Sequence, residues 1–251
     1  MEESVYSQYY RLERDHWWFE GMRTTCEEEL NRLLRDGKCE DGWCVDVGCG
    51  TGLWTQRLGP FGRVVGLDRS PKALSYCKKR GLTRLIRSRG EELPFRNNTF
   101  DVVTALGVIE HLDNDDFFLS EVFRVCKSQG HVLILTSAYQ RLWSRHDEIV
   151  HHKRRYSRKQ LCNLLSQAHF DVVRVSHVNA FLLPGILLVR VLRKILGTEF
   201  NESRSGTPDF FLPPKWMNQL LFKVLKVESG MLKYLNLPFG LGLLASARKS
   251  V

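Results

Sequence analysis

The chain has 251 residues, long enough to bury a sizeable core without disulfide or metal staples. Hydrophobic residues make up 43% and charged residues 26%, which excludes disorder as the main state; no fixed period recurs, which excludes repeat and coiled-coil architectures. The net charge of +9 is uneven: residues 1–40 hold ten acids against six bases, so the remainder is strongly basic and suits nucleic acid, anionic lipid or an anionic small molecule without selecting among them.

Residues 22–36 place Met22, Cys26, Leu30, Leu33 and Leu34 at helical spacing, and Gly37 follows as a stop. Residues 43–47 read as a short apolar strand that runs into a glycine cluster, 51–58 as a helix and 63–67 as a second strand. Ser70-Pro71 is a helix start, a capping hydroxyl followed by a proline whose missing N–H costs nothing there, and the helix runs to Gly81. A weaker strand is expected at 82–87, a strong one at 100–106, a helix at 115–126 and a fifth strand at 131–136. Ser157 and Gln160 form a capping-box pattern, and the helix they start presents Leu161, Leu164, Leu165 and Ala168 on one face. A sixth strand is expected at 170–176. Residues 179–237 read as amphipathic helix or loop, broken by Pro184, Pro208, Pro213 and Pro214, and a last strand closes the chain at 239–247. Strands and helices alternate six times, the pattern of an α/β fold with a mostly parallel sheet and helices on both faces. No linker divides the chain. One domain over 1–251 is expected, with a lid and helix at 1–40, a core at 41–178, a helical cap at 179–237 and a last strand at 238–251.

The seven cysteines are odd in number and none stands in a C-x-x-C, which argues against a disulfide framework and a thiolate zinc site and for a reducing, cytoplasmic setting. The first twenty residues have no basic segment followed by an apolar one, so no signal peptide is expected. The longest apolar stretch, residues 181–189, is too short to span a bilayer.

The sharpest motif is Gly48-Cys49-Gly50-Thr51-Gly52, between a strand and a helix, with Asp46 two residues before the first glycine. Alternate glycines let backbone approach a ligand where a Cβ would intrude, and the helix start supplies unpaired N–H groups. Asp46 is either a structural acid that holds the loop or a ligand contact. Asp68, with Arg69 beside it, ends the second strand twenty residues after Gly48, where a carboxylate accepts both hydroxyls of a ribose. The pair implies an adenosine-type ligand at the strand C-termini. A dinucleotide fingerprint would need a glycine where Leu53 stands.

The series VDVGCGTG, VVGLDRS, EELPFRNNTFDVV and VIEHL resembles the motifs of class I S-adenosylmethionine-dependent methyltransferases, over roughly residues 40–178. HWWFEGMR and HDEIVHHKRRYSRKQL resemble a subgroup of them. The resemblance implies a Rossmann-like, mostly parallel seven-stranded sheet. It implies that Gly48, Cys49, Gly50 and Gly52 hold the methionine part of the cofactor and Asp68 its ribose, that Gly90 and Glu91 meet adenine through backbone, and that Leu106 and Gly107 lie beside the methionine. The resemblance favours Trp17, Trp18 and Phe19 as a lid over the cofactor rather than a hydrophobic plug that anchors the N-terminal segment, and Arg23 is a candidate partner for the cofactor carboxylate.

Methyl transfer needs an aligned acceptor, exclusion of water and, for a hydroxyl or amine, removal of a proton. His111, after the fourth strand, is a candidate base and equally a structural histidine. His146, Asp147, His151, His152, Arg154, Arg155 and Tyr156 crowd the loop after the fifth strand, where this fold borders its acceptor pocket; of these His146, His151, Arg155 and Tyr156 are the further candidates for catalytic work. The histidines match no zinc pattern, so no metal is expected. The insert is expected to leave the sixth strand at the far end and fold back as a roof rich in Phe and Leu. Within residues 181–196, Arg190, Arg193 and Lys194 share one helical face, and Lys215, Lys223, Lys226 and Lys233 decorate a second apolar stretch, so the insert is either a cap on the pocket or a surface for anionic membrane. Nucleic acid is disfavoured because residues 106–109 lack the N/D-P-P-Y/F sequence of base-modifying relatives. The expected function is therefore methyl transfer to a small or lipid-like acceptor, at oxygen. The alternatives are a S-adenosylmethionine-binding interaction module and, on the same fold, an NAD-dependent oxidoreductase.

Overall fold

A computed structural model describes residues 3–34, 41–185, 187–188 and 211–250. In chain order the elements are α1 (Glu3–Leu12), α2 (Trp17–Leu33), β1 (Trp43–Val47), α3 (Leu53–Arg57), β2 (Arg63–Asp68), α4 (Pro71–Lys79), β3 (Leu85–Arg87) and β4 (Phe100–Leu106). They continue as α5 (Asp115–Val125), β5 (Cys126–Ser137), α6 (Arg145–Ile149), α7 (Arg158–Gln167), β6 (Phe170–Val178), α8 (Lys215–Leu232) and β7 (Gly242–Lys249).

The sheet order is β3-β2-β1-β4-β5-β7-β6, all parallel except β7, which runs antiparallel between β5 and β6. Chain order reverses at β1, and the adjacent β4 begins the second half, so the crevice above β1 and β4 is a topological switch point where ligands bind in open α/β sheets. Apolar side chains pack both faces. On one, Val45, Val103, Phe118, Leu119, Leu161 and Leu165 bury under α5 and α7. On the other, Cys26, Leu30, Trp54, Leu58, Val102 and Leu225 bury under α2, α3 and α8.

Local chemistry sets several boundaries as expected. The Ser70 hydroxyl accepts from the Ala73 N–H with Pro71 in the first turn of α4, and Ser157 and Gln160 form the reciprocal capping box of α7. Elsewhere the structure corrects the reading. The helix expected from residue 22 starts at Trp17, so Trp17, Trp18 and Phe19 form the first turn of α2, and a further helix, α1, precedes it. Cys126 opens β5 rather than ending α5, because it pairs with Phe100 of β4. The last strand starts at Gly242, not at residue 239.

The insert is also placed differently. β6 runs parallel to β5, since both are antiparallel to β7, so the chain leaves β6 on the same edge of the sheet as the crevice rather than the far one. α8 then packs against α2 instead of roofing the crevice. Gly21 makes the close crossing possible: a Cβ there would lie 2.3 Å from Leu225 Cδ1. Asn218 ties the same corner, its Oδ1 accepting from the Trp17 N–H at 3.0 Å and its Nδ2 donating to the Asp15 carbonyl at 2.7 Å. The basic face expected at Arg190, Arg193 and Lys194 lies outside the described residues.

Candidate active site

A cleft of about 560 Å³ opens over the C-terminal ends of β1, β2, β4, β5 and β6. Its two ends differ in chemistry, and each is built from local features of the sequence.

At the first end the turn after β1 uses left-handed glycines. Gly50 has φ +53°, and only the loop's own Gly48 carbonyl oxygen, 4.0 Å away, lies near where its Cβ would be, so the backbone there is open to a ligand. Gly52, at φ +88°, serves packing instead. A Cβ on it would lie 2.7 Å from Leu82 Cδ1 and 2.8 Å from Cys77 Sγ, and it does not line the cleft. Asp68 Oδ2 accepts from the Gly50 N–H at 3.0 Å and Oδ1 from the Ser70 N–H at 2.8 Å. Each oxygen keeps further acceptor capacity and Asp68 lines the cleft, so the carboxylate has one acceptor for each hydroxyl of a vicinal diol. Burial pushes the Asp68 carboxyl up, and the two backbone donors pull it part of the way back.

Asp46 lines the cleft with both of its carboxylate oxygens already accepting hydrogen bonds. Its Oδ2 accepts from Thr55 Oγ1 at 2.6 Å and its Oδ1 from Thr104 Oγ1 at 3.0 Å, which ties α3 and β4 to β1 at the floor of the cleft. Burial raises its carboxyl to about 7 against those two hydrogen bonds. Cys49, Arg69, Gly90, Glu91, Leu106 and Gly107 all line the cleft.

The N-terminal helices close this end. Tyr6 and Tyr9 of α1 and Trp18, Met22 and Arg23 of α2 face the cleft. Tyr10 stacks on Tyr76 of α4 with ring centroids 4.5 Å apart, and Ser7 Oγ lies 2.8 Å from the Tyr76 hydroxyl. Glu13 joins the Thr51 hydroxyl and the Arg80 guanidinium. Arg23 Nη2 donates to the Glu13 carbonyl at 2.5 Å and to Glu20 Oε2 at 2.8 Å, while its buried Nε has no partner. An unpaired, buried guanidinium N–H beside the cleft is a ready donor for an anionic group. Composition did not reveal this latch, because Glu13 and Arg80 are 67 positions apart.

The second end is histidine-rich. His111 follows β4, and its Nδ1 donates to the His151 carbonyl at 3.2 Å; burial first, and then the neighbouring His152, push its imidazole down to about 3. His146 lines the cleft from α6, and Arg155 lines it from the segment beyond. Two of the three guanidinium nitrogens of Arg155, Nε and Nη2, reach Asp147 at 2.8 Å, and Asp147 is wholly buried. Two candidates are not brought in. The His151 side chain is exposed and does not line the cleft. Tyr156 is 3% exposed, with its hydroxyl 2.9 Å from Asp115 Oδ2 and 3.2 Å from the Ile109 carbonyl, so it is a packing residue of the core. Two cleft residues that were not picked out as candidates are His152 and Glu110. Thr136 Oγ1 donates to Glu110 Oε2 at 2.8 Å, and burial pushes this carboxyl up. Leu106, Leu135, Val150, Val178 and Leu241 supply an apolar part of the wall, beside Ser137, Ser144, Lys153 and Asn179.

Among the described residues no group of histidines, cysteines and carboxylates could hold a metal ion, and no helix is long and apolar enough to cross a membrane. Of the described insert residues Asn179 lines the cleft and none beyond 210 does, and among the described residues α1 and α2 are the helices that cover it.

Residues 45–134 match the family described as methyltransferase domain. The demethylmenaquinone methyltransferase of Staphylococcus aureus is 33% identical over 116 residues, 43% of this chain and 48% of that protein. The chain spans about half the length of the curated relatives it matches. Among solved structures, phosphoethanolamine N-methyltransferase 2 of Haemonchus contortus, in complex with S-adenosyl-L-methionine, superposes with a TM-score of 0.57 at 18% identity, over 88% of this chain and 51% of that one. The (4+2)-cyclase SpnF superposes with a TM-score of 0.55 at 17% identity, over 89% and 81%. Likeness at these identities shows the fold alone. The family match covers the glycine loop, β2 and β4, so this stretch of the chain is similar to a methyltransferase domain, on the Rossmann-like fold that the solved methyltransferases share.

Proposed function

We propose that the chain transfers a methyl group from S-adenosylmethionine to a small or lipid-like acceptor, at an oxygen atom, with a histidine as base. The observation that carries this reading is the continuity of the cleft: one cavity joins the Gly50–Asp68 cradle to an apolar, histidine-lined pocket under the N-terminal helices. When bound, the cofactor supplies a methyl group activated on a sulfonium. The chain's own residues bind and align. Asp68 takes the ribose hydroxyls, the Gly50 backbone lies against the methionine part, the Gly90 and Glu91 backbone borders adenine, and Arg23 Nε meets the carboxylate. Tyr9, Trp18 and Met22 exclude water from above. The apolar wall of Leu135, Val150, Val178 and Leu241 favours an acceptor with a hydrocarbon body. The names of the relatives agree with a small or lipid-like acceptor, since one is named for demethylmenaquinone and another for phosphoethanolamine.

Calorimetric titration with S-adenosylmethionine and with NAD tests the binding half: tight binding of the first and none of the second is expected. Incubation of a metabolite and lipid extract with deuteromethyl S-adenosylmethionine tests turnover. Binding without any labelled product would leave an interaction module in place of the enzyme.

A second reading concerns the outer face of α8. Trp216, Leu220 and Val227 are exposed there at helical spacing, with Lys215, Lys223 and Lys226 among them. Aromatic, aliphatic and basic side chains on one helical face favour contact with an anionic lipid surface, and such contact would suit a lipid-like acceptor.

A further inference from the structure

We infer that His152 is the residue that takes the acceptor's proton, with Asp147 and Arg155 as the residues that position it. This rests on the methyl-transfer reading above, and it selects one of the four clustered histidines by geometry.

His152 is held at one ring nitrogen and open at the other. Its Nδ1 lies 2.8 Å from Asp147 Oδ1. Burial pushes the Asp147 carboxyl up, but the hydrogen bonds from His152 and Arg155 outweigh it and keep the group well below the usual carboxylate range. An ionised carboxylate only accepts, so Nδ1 carries the proton and Nε2 carries the lone pair. Nε2 is 4.0 Å from Glu110 Oε1, beyond hydrogen-bond range, so no described side chain consumes that lone pair. The side chain is only 8% exposed and lines the cleft, so its ring borders the cavity rather than bulk water.

Asp147 cannot drift. Arg155 grips both of its oxygens, the Ser144 N–H and hydroxyl bond Oδ2 at 2.8 and 3.1 Å, and the carboxylate is wholly buried. The result is a base, an orienting acid and a clamp, the arrangement by which an imidazole is fixed in one tautomer and its cation stabilised. The other groups facing His152 are Glu110 below, His111 with ring centroids 4.7 Å away and His146 at 6.2 Å. Glu110 adds a second carboxyl on the side where positive charge would appear. His111 has only a carbonyl behind it and a burial-depressed imidazole, which makes it the poorer proton holder.

The step balances within the ternary complex. The acceptor oxygen forms its bond to the methyl carbon while the carbon–sulfur bond breaks with its electron pair going to sulfur. The hydroxyl proton passes to His152 Nε2, and the imidazolium, flanked by Asp147 and Glu110, later releases it to solvent.

The test uses the whole chain and two independent readouts. In ¹⁵N-histidine spectra of the unmutated protein at neutral pH, His152 should show a protonated Nδ1 and a bare Nε2; the reverse tautomer would overturn the proposal. The second readout is turnover on the product-forming extract with deuteromethyl S-adenosylmethionine. His152→Gln should lose at least a hundredfold in rate, with cofactor affinity within threefold of the original and the acid limb of the pH–rate profile abolished. Asp147→Asn should lose about tenfold and move that limb to lower pH. Because Asp147→Asn removes a buried anion and can fail to fold, the decision rests on His152→Gln and the spectrum. Full turnover in His152→Gln, or the same loss of the acid limb in His111→Gln alone, would overturn this assignment while leaving methyl transfer standing. A wild-type chain that labels nothing would take both down.

Discussion

Glu13 Oε1 lies 2.5 Å from Arg80 Nη2, and the two side chains are 11% and 4% exposed. This ion pair crosses from the loop after α1 to the end of α4, directly behind the glycine turn. Arg80 also donates from Nε to the Thr51 carbonyl at 2.9 Å, and its guanidinium sits 4.5 Å from the Tyr10 ring centroid. The N-terminal helix is therefore latched to the backbone of the glycine turn.

Breaking the latch should release the lid rather than unfold the chain. Truncating one partner of a buried pair costs several kcal/mol when the other charge stays buried, roughly 3–5 kcal/mol. Here Arg80 can recover its hydration if α1 lifts away. Glu13→Ala should leave the melting temperature nearly unchanged, speed hydrogen exchange across residues 3–16 and weaken S-adenosylmethionine binding about tenfold. A large drop in melting temperature with no change in exchange would show that α1 is part of the core.

Asp68→Ala removes the carboxylate that the Gly50 and Ser70 N–H groups hold in place. With two charge-assisted hydrogen bonds lost to the ribose, affinity should fall by roughly 3 kcal/mol or more, above a hundredfold. Calorimetry reads it directly. An unchanged dissociation constant would move the ribose site elsewhere.

Asp46 makes stability depend on pH. Its folded-state carboxyl is raised to about 7, above an unfolded value near 3.9, so the folded chain binds the extra proton. The stability it contributes is complete below about pH 4 and is lost as pH rises through about 7. Asp46→Asn keeps a neutral acceptor for the Thr hydroxyls and cannot ionise. Urea unfolding should therefore show the variant gaining on the wild type between pH 5 and pH 8, by roughly 2–3 kcal/mol. A constant difference across that range would mean Asp46 titrates normally.

The outward face of α8 predicts co-sedimentation with vesicles. Phosphatidylserine-containing vesicles should retain the chain and neutral phosphatidylcholine vesicles should not. Trp216→Ser with Lys223→Glu should abolish retention without altering cofactor affinity, because neither residue lines the cleft. Equal retention on both vesicle types, or none on either, removes the lipid-surface reading.

What the amino-acid sequence determined by itself was whatever depends on neighbours a few positions apart. The caps at Ser70 and Ser157, the strands at 43–47 and 100–106, and the left-handed turn at Gly48–Gly52 are local events, and Asp68 follows from the length of one β-α-β unit. Tertiary structure alone decided the rest. The docking of α1 on α4 depends on Tyr10 meeting Tyr76, and the latch on Glu13 meeting Arg80, pairs separated by more than sixty positions. Tyr156 was drawn into the core and His151 turned out to solvent, although both stand in the same charged run as His152. That run has no single periodicity to sort its side chains, since α6 ends at Ile149 and an irregular segment follows. Only the packing of β4, β5 and α6 brings Glu110, Asp147 and His152 to one point and gives each of them a different job.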